Sequence, residues 1–260
     1  MRRVLVIGIG AGDPEQVTVQ AIRAINRADA VFVVEKGSEA DELASVRREV
    51  LARYLEDDRR PRVVALADPP RDRTAPAYRE AVDDWRARRA DVWEAALGDH
   101  LRDGETGAFL VWGDPAIYDS TTAVLEAIAG RGNVELDYEV IPGISSLQAL
   151  AARHRIPWAR VGGAVQITTG RRLAAGMPEE ADDVLVMLDP GCAFARVAAE
   201  DVEIYWGAYI GTEDEILVSG PVHELAPEIE RLRRDARERK GWVMDSYLLR
   251  RAPRTAPPGP

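Results

Sequence analysis

Few residues in this 260-residue chain are equipped for covalent or metal chemistry, and those that could act gather at three turns broken by glycine or proline. The first is Gly8-Ile9-Gly10-Ala11-Gly12-Asp13-Pro14, the second Trp112-Gly113-Asp114-Pro115-Ala116-Ile117-Tyr118, and the third Pro142-Gly143-Ile144-Ser145-Ser146. Each follows a short apolar run that reads as a buried strand and precedes a helix-like pattern. In open α/β sheets ligands bind at such corners, outside the carboxyl ends of the strands. Two of the turns carry a carboxylate, Asp13 and Asp114. Carboxylates and backbone carbonyls at strand ends suit a cation better than a phosphate. The first turn reads G-x-G-x-G-D-P, whereas a dinucleotide fingerprint needs its third glycine where Asp13 stands. An acid and a proline are poor company for a pyrophosphate at helix amides. Glu35 stands at about the right distance to hold a ribose, which keeps a nicotinamide oxidoreductase as an alternative. Ser145 and Ser146 lack the G-x-S-x-G spacing of a nucleophile and read as helix-start hydroxyls.

Composition narrows the chemistry further. The single cysteine, Cys192, excludes an internal disulfide framework and a Cys-rich zinc site, and is expected to be a buried, inert thiol. His100, His154 and His223 are too widely spaced for a His-based metal site, so no metal is expected. The net charge, 34 − 44 = −10, argues against nucleic-acid binding. An acidic substrate would need a local arginine patch against that field. No apolar run approaches the length of a spanning helix. The start, Met1-Arg2-Arg3-Val4-Leu5-Val6-Ile7, superficially resembles a signal peptide, but its apolar run stops at Gly8, as a first strand and its turn would. The expectation is a cytoplasmic protein with neither nucleic-acid nor membrane partners.

The elements that must position the three turns follow from periodicity. A strand at 4–7, a helix at 17–27 burying Val17, Ala21, Ala24, Ile25 and Ala28, and a strand at 30–34 open a parallel sheet. Ser38 caps a helix running to 54, and a strand at 62–66 ends in a loop whose Arg71 and Arg73 could bind anions. A helix over 76–101 carries Tyr78, Val82, Trp85, Val92 and Leu97 as a core stripe. A strand at 109–112 leads through the second turn to a helix over 121–128, capped by Asp119 or Ser120. A strand at 134–141 leads through the third turn to a helix over 147–153. Strands at 161–169, 184–188, 202–210 and 215–219, a basic helix over 227–240 and a strand at 242–249 complete a second half of more mixed strand direction. The pattern predicts an N-terminal α/β domain over 1–136, a C-terminal α/β domain over 137–251 and a Pro-rich tail over 252–260.

Four stretches together resemble one family. Val6-Ile7-Gly8-Ile9-Gly10-Ala11-Gly12-Asp13-Pro14, Ala28-Asp29-Ala30-Val31, Trp112-Gly113-Asp114-Pro115-Ala116-Ile117-Tyr118 and Ile141-Pro142-Gly143-Ile144-Ser145-Ser146 look like the tetrapyrrole methylases. These are the S-adenosylmethionine-dependent methyltransferases of the sirohaem and cobalamin pathways. The resemblance runs from about Arg3 to Arg250. It implies two α/β domains with the cofactor cleft between them, in a homodimer. It implies S-adenosylmethionine, leaving as S-adenosylhomocysteine, held by Trp112, Gly113, Asp114, Ile117, Ser145 and Ser146. Met187 and Ala208 would contact it from the second domain, with Pro14 at its edge. Gly10, Gly12 and Asp13 would face the tetrapyrrole. Arg71, Arg73, Arg153 and Arg171 would hold its acidic side chains, since arginine pairs carboxylates bidentately. Some relatives use an acid just after the second strand as a base. Glu35 is the nearest match, with His154 as a second choice. The implied reaction is methyl transfer to a ring carbon of a corrin precursor, with loss of acetate. The alternatives are another precorrin or uroporphyrinogen methylase of the family, the nicotinamide oxidoreductase, and a non-enzymatic binding module.

Overall fold

The computed structural model describes residues 1–35, 40–70, 78–197 and 201–252. Ser38, Arg71 and Arg73 lie outside them, and Glu35 is placed as backbone only, closing the second strand opposite Ala67. The chain divides into two compact units, Met1–Ser145 and Ser146–Pro260.

The first unit is a five-stranded parallel sheet built from β1 (Arg2–Gly8), β2 (Ala30–Glu35), β3 (Arg62–Ala67), β4 (Thr106–Val111) and β5 (Leu136–Ile141), in the order β3-β2-β4-β1-β5. β1 is apolar on both faces because both are covered, as parallel sheets require. Val4 and Val6 pack toward α3 (Tyr78–His100) and α4 (Thr121–Arg131) in a cluster with Trp93, Leu97 and Phe109. Leu5 and Ile7 pack on the other face with α1 (Val19–Ile25) and α2 (Ala40–Tyr54). All five residues expected on one helix face are buried, with Val17 and Ala28 flanking α1 rather than within it, and the Thr18 hydroxyl caps the helix by accepting from the Ala21 amide at 3.0 Å. Of the expected α3 stripe, Trp85 and Leu97 are buried while Val82 and Val92 are only partly so, and Trp93, which was not in the stripe, is the tryptophan of the core cluster.

The second unit holds α5 (Ser146–His154), α6 (Gly170–Leu173), α7 (Val222–Lys240) and a mixed sheet of β6 (Val165–Thr169), β7 (Asp183–Met187), β8 (Val202–Ala208), β9 (Ile216–Pro221) and β10 (Asp245–Arg251). The strand order is β6-β7-β10-β8-β9, with only β6 and β7 parallel. Its core gathers Val184, Val186, Phe194, Ile204, Trp206, Ile229, Tyr247 and Leu249.

Three expected boundaries move furthest. The first unit keeps β5, which pairs β1 over its full length, so the division falls after Ser145 rather than at 136/137. The strand expected from 161 begins at Val165, because Gly162 turns with φ +73° and Val161 is left in solvent. The basic helix expected from Pro227 starts five residues earlier. Burial of Val222, Ala226 and Ile229 outweighs the one backbone hydrogen bond that Pro227 forfeits inside α7.

Candidate functional site

Because β1 lies between β4 and β5, the three turns emerge side by side at the carboxyl edge of the first sheet. The backbone then joins them. The Ile9 amide donates to the Val111 carbonyl at 3.0 Å, and the Gly113 amide to the Gly10 carbonyl at 2.7 Å. Asp114 ties in the third turn. Its Oδ2 accepts from the Gly143 amide at 2.9 Å, and its Oδ1 accepts from the Ala116 amide at 2.8 Å. Pro115 and the Ile117 amide, which donates to the Asp114 carbonyl at 3.2 Å, complete a tight loop. Asp114 therefore spends two of its roughly four acceptor positions on backbone amides, fixing the corner.

Glycine is required where these turns touch. A Cβ on Gly143 would overlap the Gly113 carbonyl and lie 2.8 Å from the Gly8 backbone. A Cβ on Gly8 would meet the Gly143 amide nitrogen at 2.6 Å. Three strand ends thus close on one another without side chains. Gly113 turns with φ +72° beside Ser145, which is buried, while Trp112 is half-buried. The Asp119 carboxylate accepts from the Thr121 amide at 2.7 Å, so Asp119 rather than Ser120 caps α4.

In the second unit, Met187, Ala208 and Ser146 meet around one strand start. Ser246 of β10 lies opposite Met187 on one side and Gly207 on the other, while Asp245 lies opposite Ala208. The Ser246 hydroxyl stands 3.1 Å from that of Ser146. Leu188 and Tyr209, directly after Met187 and Ala208, both take left-handed φ values near +50°. Such backbone costs about 1–3 kcal/mol in a non-glycine residue and collects at ligand sites. Ser246 escaped the sequence reading because Met244-Asp245-Ser246 carries no motif. Only strand pairing brings it to Met187.

The remaining candidates scatter. The Asp13 carboxylate accepts from the Glu15 amide at 2.9 Å and caps the turn Pro14–Gln16, whose Pro14 carbonyl accepts from the Tyr54 hydroxyl at 2.9 Å. Gly10 and Gly12 turn with positive φ, as their loop needs. Arg153 on α5 is paired with Glu215 at 3.0 Å, which competes with a substrate role, and Arg171 is exposed on α6. His154 is half-buried. Its Nε2 stands 3.0 Å from the Trp206 carbonyl and must be the donor there, so that nitrogen is not available as a base. Burial holds its pKa below the ordinary value. Cys192 is partly buried against Arg233, and burial raises its pKa, which suits an inert thiol.

The family model of the Tetrapyrrole (Corrin/Porphyrin) Methylases matches residues 3–226. The chain is 51% identical over 251 residues to the precorrin-6A synthase [deacetylating] of Sinorhizobium sp, covering 96% of each chain. It is similar in structure to a cobalamin-synthesis-related protein from Corynebacterium diphtheriae, with a TM-score of 0.83 and 36% identity over 96% of this chain and 99% of that one. The uroporphyrin-III-C-methyltransferase of Thermus thermophilus shares the fold, with a TM-score of 0.61 at 22% identity, over 96% of this chain and 92% of that one. The chain belongs to the tetrapyrrole methylases.

Proposed function

We propose that this chain is an S-adenosylmethionine-dependent C-methyltransferase that converts precorrin-5 to precorrin-6A with release of acetate. The observation that carries the reading is the end-to-end similarity to the Sinorhizobium precorrin-6A synthase [deacetylating]. The knitted corner at Gly8, Gly113 and Gly143 supports it. A bare backbone with a fixed carboxylate beside it can hold a flat, cationic nucleoside without a phosphate cradle.

S-adenosylmethionine supplies a methyl group on a sulfonium cation. Trp112, Gly113, Ile117, Ser145 and the edge at Pro14 are assigned to hold it. Asp114 fixes the corner through the Gly143 amide, and Ser146 of α5, Met187 of β7 and Ala208 of β8 are assigned as further contacts. The chain's own contribution is orientation of the methyl donor against the ring carbon. Acetate release needs water to attack the acetyl carbonyl, and Glu35 at the end of β2 stays the first choice to take its proton. A homodimer in the cytoplasm is the working assembly, and sedimentation of the purified chain tests the dimer.

Incubation with S-adenosylmethionine and precorrin-5, followed by mass spectrometry, should show one methyl gained and one acetate released per turnover. A methylated product that keeps its acetyl group moves the chain to another methylase activity of the family. Asp114→Asn keeps one acceptor oxygen and turns an amide group on a backbone donor. Affinity for S-adenosylhomocysteine should fall roughly tenfold by calorimetry. Unchanged affinity and turnover would remove the corner from the site.

A further inference from the structure

The first sheet has a second feature at its carboxyl edge, one that the three turns do not use. From β2 the chain moves outward to β3, whereas from β4 it crosses the other way to β5. The adjacent ends of β2 and β4 are therefore the topological switch point, where a crevice opens. The pairing records the opening. β2 and β4 are joined only from Ala30–Gly107 to Phe32–Phe109, three registers against six for β1 with β4. The Val111 carbonyl accepts from Ile9 on the β1 side, so the carbonyl before it, Leu110, faces the gap.

Arg47 of α2 fills that gap. Its Nε donates to the Leu110 carbonyl at 2.9 Å. Among the described residues its two terminal nitrogens have no hydrogen-bond or ion-pair partner. Arg89 of α3 stands near enough for its charge to be felt, and burial lowers the pKa of both guanidiniums. Arg89 is already engaged. It meets Asp68 at 3.0 Å and the Ser120 hydroxyl at 2.9 Å, between the rings of Trp85 and Trp93. Asp119 is the acid facing Arg47, and one of its oxygens is spent capping α4. Arg47 thus presents a fork held by its inner edge, half-buried beside a second cation, with its outer edge open.

We infer that Arg47 is a carboxylate-binding residue that takes one acidic side chain of the tetrapyrrole at the β2–β4 crevice. The inference rests on the proposed methyltransferase reading and adds a site within the first unit. A planar guanidinium anchored at Nε loses little freedom on accepting a carboxylate across its terminal nitrogens, and lysine cannot reproduce that geometry.

A fluorescence titration with uroporphyrin, a porphyrin octacarboxylate, tests this alongside calorimetry with S-adenosylhomocysteine. For Arg47→Met the porphyrin dissociation constant should rise roughly 10- to 100-fold, with a weaker dependence on salt. Arg47→Lys should recover part of the loss, and the S-adenosylhomocysteine affinity of both should stay within about twofold of the parent chain. Should Arg47→Met fail to fold, Arg47→Lys carries the test alone, with a smaller rise expected. Unchanged porphyrin affinity, or equal losses for both ligands, overturns the assignment. A parent chain that binds S-adenosylhomocysteine but no porphyrin overturns it too. A parent chain that binds no S-adenosylhomocysteine overturns the methyltransferase reading, and the inference with it.

Discussion

The carboxyl edge of the first sheet and the start of β10 in the second unit bring distant strands together by different physical means. At the first, β1, β4 and β5 are joined through backbone amides, three mutually contacting glycines and one carboxylate. At the second, side chains form a buried polar network. Arg233 meets Asp245 at 2.9 Å and donates to the Asp189 carbonyl at 2.6 Å. Trp206 donates to Asp245 at 2.7 Å, and the Tyr247 hydroxyl donates to Asp189 at 2.6 Å. Burial pushes the Asp245 pKa up even against Arg233 and Trp206, so desolvation is the larger effect there. A corner made of backbone leaves room for a ligand to lie close to the chain. A network of charges holds its strands only while every member is present.

Breaking the network should therefore have the largest effect. Arg233→Met leaves Asp245 buried and uncompensated, at a cost of about 3–5 kcal/mol in denaturant unfolding. The double change Arg233→Met with Asp245→Leu should recover much of that, because the carboxylate left without its ion-pair partner is removed as well. A single change costing under about 1 kcal/mol would mean that packing alone holds β10 and α7.

Next comes the corner. Gly143→Ala drives a methyl into the Gly113 carbonyl and the Gly8 backbone, and neither can swing away. A cost of about 2–3 kcal/mol is expected, with weaker S-adenosylhomocysteine binding. Gly130→Ala on α4, where nothing lies within 4 Å, is the control, and should be neutral or stabilising by about 0.5–1 kcal/mol. Equal effects at the two glycines would mean that the corner is not close-packed.

The same contrast explains what could be read from the sequence. The corner was legible because its requirements are local. A buried apolar run, then glycine, then a fixed turn, appears as contiguous letters at Gly8, Gly113 and Gly143. The α1 face was legible for the same reason, its apolar residues recurring at helical spacing. The reason for Gly143 was not, since the contact it makes is with two other strands. Ser246, Arg47 and the Arg233 network were invisible because each includes at least one pairing across 40 or more residues, Ser246 with Met187, Arg47 with Leu110 and Arg233 with Asp189. β5 was assigned with the wrong half because a strand's letters do not say which sheet it joins.

The smallest effect separates the two regions by pH. His154 ends α5 with Nε2 donating to the Trp206 carbonyl, and its ring packs edge-on to Tyr205. Burial lowers its folded pKa below the ordinary 6.5, the first cause ahead of the opposing Trp206 and Glu215 effects. Between the folded and unfolded values the unfolded chain binds more protons, so stability rises with pH across that window. Stability from this group is complete above about 6.5 and is lost as pH falls through the folded value. His154→Gln keeps an Nε2 donor for the Trp206 carbonyl but cannot titrate. Denaturant unfolding of the parent chain from pH 7.5 to 5.5 should lose up to about 1 kcal/mol more than the variant loses. Tryptophan fluorescence should report that loss through Trp206, which sits in the affected contact, while Gly143→Ala should leave the pH difference unchanged. Parallel pH curves for the parent and His154→Gln would show that the ring is as well solvated in the folded chain as in the unfolded one. The acid sensitivity of the second unit would then have to be sought in its buried carboxylates.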